Sequence, residues 1–170
     1  SDTERRVRDV AGIKGSRLPA GRALEPKELQ RLFRACLRDP GPAGLRDRAL
    51  IAVGVGGGLR RAELVSLDLA DLDEENASLR VSGKGNKQRL VFLALGVLEA
   101  VGDWLKIRGR EPGPLFTATT KGAAGRVTLE RIGPSSVYTV LKRRATQSAV
   151  AEFSPHDLRR TCASSLLDHG

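Results

Sequence analysis

The sequence predicts an α+β protein, mainly helical, with a small antiparallel sheet that carries a basic hairpin. Three observations carry that expectation. Apolar residues recur at helical spacing in one segment after another. Only two short runs read as strands, and they flank a single turn rich in glycine and lysine. A content of 40% hydrophobic and 29% charged residues in a chain of 170 suits one moderate core rather than a disordered chain.

Residues 1 to 23 are rich in Arg, Lys, Gly and Ser and show little apolar periodicity, so they are expected to form a basic linker or arm, with one domain over 24–170. The start at Ser1-Asp2 suggests a piece cut from a longer chain. Glu25-Pro26-Lys27-Glu28 opens the first helix, with proline at the first helical position and Leu29, Leu32, Phe33 and Cys36 inward; Pro40-Gly41-Pro42 ends it. Residues 44–55 form a second, strongly apolar helix that stops at Gly56-Gly57-Gly58, and residues 59–67 form a third. Asp68, Asp71 and Asp73 follow, but apolar residues separate them and the glycine and glutamate of a calcium loop are missing, so no metal is expected.

Ala77–Val81 and Arg89–Leu93 read as strands around the turn Gly83-Lys84-Gly85-Asn86-Lys87. Leu95–Ile107 is an amphipathic helix with Trp104 in the core. Pro112 to Gly125 is rich in turn residues, and Thr120–Arg126 reads as a mobile basic loop. Ser135 or Ser136 is the expected cap of a helix running to about Ala149, whose Lys142, Arg143 and Arg144 form a positive patch. Ser154-Pro155-His156-Asp157 starts the last helix with a serine cap, a proline and an acid in the first turn; Leu158, Cys162, Ala163, Leu166 and Leu167 are expected inward.

The charge narrows the partner. Twenty-nine Lys and Arg against twenty Asp and Glu give a formal charge of +9, which favours a polyanion. Aromatic residues make up only 4%, too few for the stacking platforms that grip single strands, so double-stranded DNA held by its phosphates is the expected partner. Cys36 and Cys162 lie in no paired motif and read as reduced core thiols. No apolar run approaches the roughly 20 residues that span a bilayer, and no signal peptide is evident, so a soluble cytoplasmic protein is expected.

Arg60, Lys84, His156 and Arg159 form a set that could serve one phosphate. Two guanidiniums can grip nonbridging oxygens and stabilise the extra charge of a five-coordinate transition state. A lysine on a turn can protonate a departing sugar oxygen, and a histidine at a helix start, three residues from an arginine, can relay protons beside it. No metal or other cofactor is required.

The segments Gly58-Leu59-Arg60-Arg61-Ala62-Glu63-Leu64, Val81 to Arg89, Ser154-Pro155-His156-Asp157-Leu158-Arg159-Arg160 and Leu166-Leu167-Asp168-His169-Gly170, in that order, resemble the catalytic domain of the tyrosine recombinases, the phage integrases and Xer-type site-specific recombinases. The resemblance covers roughly residues 24–170, and the basic arm resembles that family's interdomain linker. It implies the tyrosine recombinase catalytic-domain fold, with Arg60 and Arg159 as the catalytic arginines, Lys84 as general acid for the 5′ hydroxyl, His156 as the histidine of the His-x-x-Arg pair, and Glu63 as the acid that supports the site. It also implies strand cleavage and rejoining through a 3′-phosphotyrosine, without ATP or metal, by a tetramer of full-length protein on DNA. Lys87, Arg89, Lys142, Arg143, Arg144 and Arg160 are the expected further DNA contacts.

One departure bears on activity. In the family the nucleophilic tyrosine lies well beyond the His-x-x-Arg motif, whereas eleven residues follow Arg159 here and the sole tyrosine, Tyr138, precedes His156 in a helical apolar pattern. The expectation is a fragment, monomeric on its own, that binds DNA weakly without cutting it, within a parent that recombines DNA. The competing classes are a noncatalytic DNA-binding regulator or architectural protein of the same fold, and a relaxing topoisomerase.

Overall fold

The computed structural model describes residues 21–168, with side chains described as far as Cys162. Most of the expected basic arm therefore lies outside the described residues, as do the side chains of Ala163, Leu166, Leu167 and His169.

Helix α1 spans Pro26–Arg38, and α2 spans Pro42–Gly57. Helix α2 is the axis of the domain: α1, α4 (Leu95–Arg108) and α6 (Pro155–Asp168) all pack against it. This explains its sequence, because Ala49, Leu50, Ile51, Ala52 and Val53 are consecutive yet all buried, and a helix covered on every side needs no polar stripe. It starts at Pro42, two residues before the expected start, because proline's fixed φ and missing N–H suit a first helical position. It ends at Gly58, whose φ of +62° is the left-handed cap that glycine adopts without a Cβ penalty. Crowding adds to the demand for glycine there, since a Cβ on Gly58 would sit 3.2 Å from the Cys162 sulfur.

A short helix α3, Arg61–Ser66, follows. It leads through a 3₁₀ turn at Leu69–Asp71 into a three-stranded antiparallel sheet of β1 (Leu72–Asp73), β2 (Ser78–Ser82) and β3 (Gln88–Phe92), in the order β1-β2-β3. Leu79 pairs with Val91 and Val81 with Arg89. Leu79 and Val81 face the core, while Leu90 and Phe92 lie on the outer face. Ala77, expected to open the strand, instead takes φ +52° and ends the preceding turn. The three aspartates hold local structure: Asp68 pairs with Arg131, Asp71 with Arg80, and Asp73 accepts from Asn76.

The passage after α4 contains a second hairpin not expected from the sequence. Strands β4 (Thr117–Thr119) and β5 (Val127–Arg131) pair antiparallel, with an irregularity between Thr117 and Thr119. Thr120–Arg126 is their connection, and it is internally bonded: the Thr120 N–H donates to the Arg126 carbonyl at 2.9 Å, and the Arg126 N–H donates to Thr120 Oγ1 at 2.7 Å. Helix α5 spans Pro134–Gln147, so Gly133 precedes it and neither Ser135 nor Ser136 is its cap. Trp104 is fully buried and its indole N–H donates to the Leu115 carbonyl at 2.8 Å, which ties α4 to the chain before β4.

Candidate phosphate-binding and nucleic-acid site

Arg60 stands between the end of α2 and the start of α3. Its backbone N–H, one of the donors a helix start leaves unpaired, donates to Glu63 Oε1 at 2.8 Å, and its side chain is 62% exposed. Glu63 is by contrast buried. Its carboxylate receives Arg89 of β3 through two bonds, Nη1 to Oε2 at 2.5 Å and Nη2 to Oε1 at 3.1 Å, while Arg60 Nη1 lies 3.9 Å from Oε2. Burial acts to raise the Glu63 pKa, but the Arg89 guanidinium, the Arg60 N–H and the two positive charges together hold it below the ordinary carboxylate range. The far end of α3 is held too, because Arg131 Nη1 donates to the carbonyls of Val65 and Leu67.

Lys84 is exposed on the turn between β2 and β3. The Gly83 N–H donates to the Lys87 carbonyl at 2.7 Å, and Gly85 and Asn86 take φ of +75° and +59°, so the turn needs residues tolerant of left-handed backbone. This turn abuts the Arg60 helix, since a Cβ on Gly83 would lie 3.7 Å from Glu63 Oε2. Lys87 is exposed on the same turn. Arg89, expected as a DNA contact, is committed to Glu63 instead.

The start of α6 is closed by a reciprocal pair: the Ser154 N–H donates to Asp157 Oδ2 at 3.0 Å, and the Asp157 N–H approaches Ser154 Oγ at 3.4 Å. Asp157 also accepts from the Arg22 N–H at 3.0 Å, and Arg22 forks onto Glu28, so Arg22, a residue of the expected arm, is bonded to the helical domain. His156 and Arg160 are exposed and Arg159 is half-buried. The Cys162 thiol lies 3.9 Å from the Gly56 carbonyl, which places the Arg159 turn of α6 against the end of α2 that leads into Arg60. Burial pushes that thiol up, opposed by the charge of Arg159.

Arg61, not among the expected site residues, stacks its guanidinium 4.6 Å from the Tyr138 ring centroid. Tyr138 in turn lines a cleft with His156, Arg160 and Arg22. Tyr138 is thus a surface residue beside the cationic groups. Through these contacts the Lys84 turn leans on α3, which follows Arg60, and the Arg159 turn of α6 packs on the end of α2 that leads into Arg60.

The expected Lys142-Arg143-Arg144 patch is divided. Lys142 is exposed, but Arg144 is buried: its Nε donates to Asp47 Oδ2 at 2.9 Å and its Nη2 to Asp39 Oδ2 at 2.7 Å. Arg143 also pairs with Asp47, at 3.1 Å, and Arg46 holds the other Asp47 oxygen at 2.9 Å. Asp47 is fully buried, so these arginines neutralise a core carboxylate that would otherwise be costly to desolvate. In sequence the three residues look alike; helical rotation turns Arg144 inward.

A mainly helical domain with small antiparallel sheets is the fold this chain shares with solved recombinase structures. The sequence matches the Phage integrase family over residues 22–170, and the chain belongs to that family. Tyrosine recombinase XerC of Vibrio cholerae serotype O1 is 37% identical over 146 residues, covering 85% of this chain and 45% of the relative. XerC of Alcanivorax borkumensis is 36% identical over 157 residues, covering 91% and 49%. The chain thus spans about half the length of the curated relatives it matches. The XerA recombinase structure superposes with a TM-score of 0.74 at 25% identity, over 91% of this chain and 53% of that one. XerH recombinase bound to palindromic difH substrate shares the fold, with a TM-score of 0.67 at 20% identity over 89% of this chain and 43% of that one.

Proposed function

We propose that this chain is the catalytic domain, over residues 24–170, of a site-specific DNA recombinase, and that it holds the scissile phosphate of duplex DNA. Arg60 and Arg159 grip the nonbridging oxygens and stabilise the charge that builds up as phosphorus becomes five-coordinate. Lys84 gives a proton to the departing 5′ oxygen, and His156 hydrogen-bonds the phosphate and moves protons beside it. Glu63 supports Arg60 from below. Lys87, Lys142 and Arg160 contact flanking phosphates from exposed positions. In this reading a tyrosine attacks phosphorus, its oxygen bonds to the 3′ phosphate, the 5′ oxygen leaves as a hydroxyl, and an incoming strand's hydroxyl reverses the step, so no external energy source is needed. Recombination is carried out by a tetramer on two duplexes in the cytoplasm.

The observation that supports this reading is that the Lys84 turn leans on α3, which follows Arg60, while the Arg159 turn of α6 packs on the end of α2 that leads into Arg60, in a chain of family membership and basic charge. Tyr138, the one tyrosine of the sequence, does not serve as the nucleophile: its ring, on α5, stacks with the guanidinium of Arg61 on α3. The chain by itself therefore binds DNA without forming a covalent adduct.

Fluorescence anisotropy with a labelled duplex tests the first half: binding should weaken steeply with salt, and Arg60→Ala and Arg159→Ala should each weaken it. Denaturing gels of the chain with nicked suicide duplexes that carry recombination sites of XerC relatives test the second half. A protein–DNA adduct there would overturn the assignment of Tyr138. Salt-insensitive binding, or none, would overturn the DNA phosphate site itself.

A further inference from the structure

Arg89 was expected among the DNA contacts, yet its guanidinium is spent on a buried partner. Both of its terminal nitrogens are bonded to the two oxygens of Glu63, at 2.5 and 3.1 Å, a fork-to-fork geometry that fixes direction as well as distance. The two ends of this bridge belong to separate parts of the chain. Arg89 sits in β3, two residues beyond Lys87, whose carbonyl closes the Lys84 turn. Glu63 sits in α3, where its Oε1 also receives the Arg60 N–H. The same carboxylate therefore touches the helix start that presents Arg60 and the strand that presents Lys84.

The surroundings favour a positioning role over a general structural one. Across from Arg89 on β2 is Val81, which is buried, so the sheet is anchored in the core without help from Arg89. The turn beyond it has no comparable anchor: Lys84, Gly85, Asn86 and Lys87 are all exposed, and a Cβ on Gly85 would meet nothing within 4 Å. The Arg89–Glu63 bridge lies at the base of this exposed turn, with Arg89 Nη1 4.0 Å and Glu63 Oε2 3.7 Å from where a Gly83 Cβ would be.

We propose that Arg89 is a positioning residue: through Glu63 it locks the Lys84 turn to the Arg60 helix start, so that both cations reach one phosphate. The proposal rests on the phosphate-site reading above. Arg89 contributes to DNA binding through geometry, and its own charge does not contact the duplex.

The signs of charge make this testable with the chain as it stands. Glu63→Gln removes a negative charge from a DNA-binding protein, so simple electrostatics expects tighter binding, whereas loss of the lock expects weaker binding. Duplex affinity measured by anisotropy at one salt concentration should fall about tenfold for Arg89→Ala, and by a similar factor for Glu63→Gln. The double variant should be no weaker than Arg89→Ala alone, because both changes break one bridge. Arg89→Lys keeps the charge and loses the fork, so it should also bind at least about threefold more weakly, and it decides the matter if either of the other variants melts below the assay temperature. Amide exchange at Gly83–Gln88 should rise in every one of these variants. Wild-type affinity in Arg89→Lys, tighter binding by Glu63→Gln, or multiplied losses in the double variant would each overturn the proposal. Failure of the unsubstituted chain to bind duplex would instead overturn the DNA phosphate site on which it rests.

Discussion

Two buried carboxylates do the most at the scale of single residues. Asp47 is fully buried and faces Arg46, Arg143 and Arg144, so Asp47→Ala leaves the buried Arg144 with only Asp39 as an acidic partner. Breaking a buried ion pair from one side typically costs about 3–5 kcal/mol, and a fall of that size should appear in chemical denaturation of the variant. Glu63 predicts a pH dependence. Its folded pKa is depressed, so its contribution to stability is present in full above the unfolded value of about 4.3 and is lost as pH falls through the folded value. The melting temperatures of the wild type and Glu63→Gln should therefore differ at neutral pH, and the gap should narrow as pH falls below the unfolded value of about 4.3. A gap that persisted undiminished at pH 3 would contradict the ionic role of Glu63. These residue-level pairings were only partly legible in the sequence. Glu63 could be marked as a supporting acid by resemblance, but its bidentate partner Arg89 lies 26 positions away and looked like any exposed strand arginine.

Elements are decided by their ends. Gly58 ends α2 at φ +62° with the Cys162 sulfur 3.2 Å from a prospective Cβ, so Gly58→Ala should lower stability by about 1–2 kcal/mol and move the start of α3. Ala149 offers the opposite case. It follows α5 at φ +53°, a conformation that an L residue takes at a cost, and it is exposed. Ala149→Gly should consequently raise the melting temperature, by an amount equivalent to about 0.5–1 kcal/mol, unlike glycine substitutions elsewhere in helices. A lower melting temperature for Ala149→Gly would show that its backbone is not strained. Helix centres and the first hairpin were readable because periodicity and turn chemistry are local. The β4–β5 hairpin was not, since Thr117–Thr119 is too short to alternate visibly and its partner strand begins eight residues later.

For the whole molecule the relevant quantity is charge that water can reach. The formal +9 overstates the DNA-facing charge, because Arg46, Arg89, Arg143 and Arg144 are tied to acids within the fold. Each phosphate contact releases counterions worth about 0.9 in the slope of log affinity against log salt. Lys142→Ala should reduce that slope by about one contact, whereas Arg144→Ala should leave the slope unchanged and lower stability instead. Equal slope changes for the two would mean that α5 presents its basic residues differently from the packing described.

The mainly helical class, the apolar central helix, the basic hairpin and the motifs that carry the family are legible in the chain alone, because each is written in local spacing or in residues whose chemistry is unusual at that place. The tertiary structure decided which cations remain free. Whether an arginine meets a phosphate or a buried carboxylate depends on the carboxylate's position in space. Asp47 lies 97 positions from Arg144, and no local pattern reveals that distance closed to 2.9 Å.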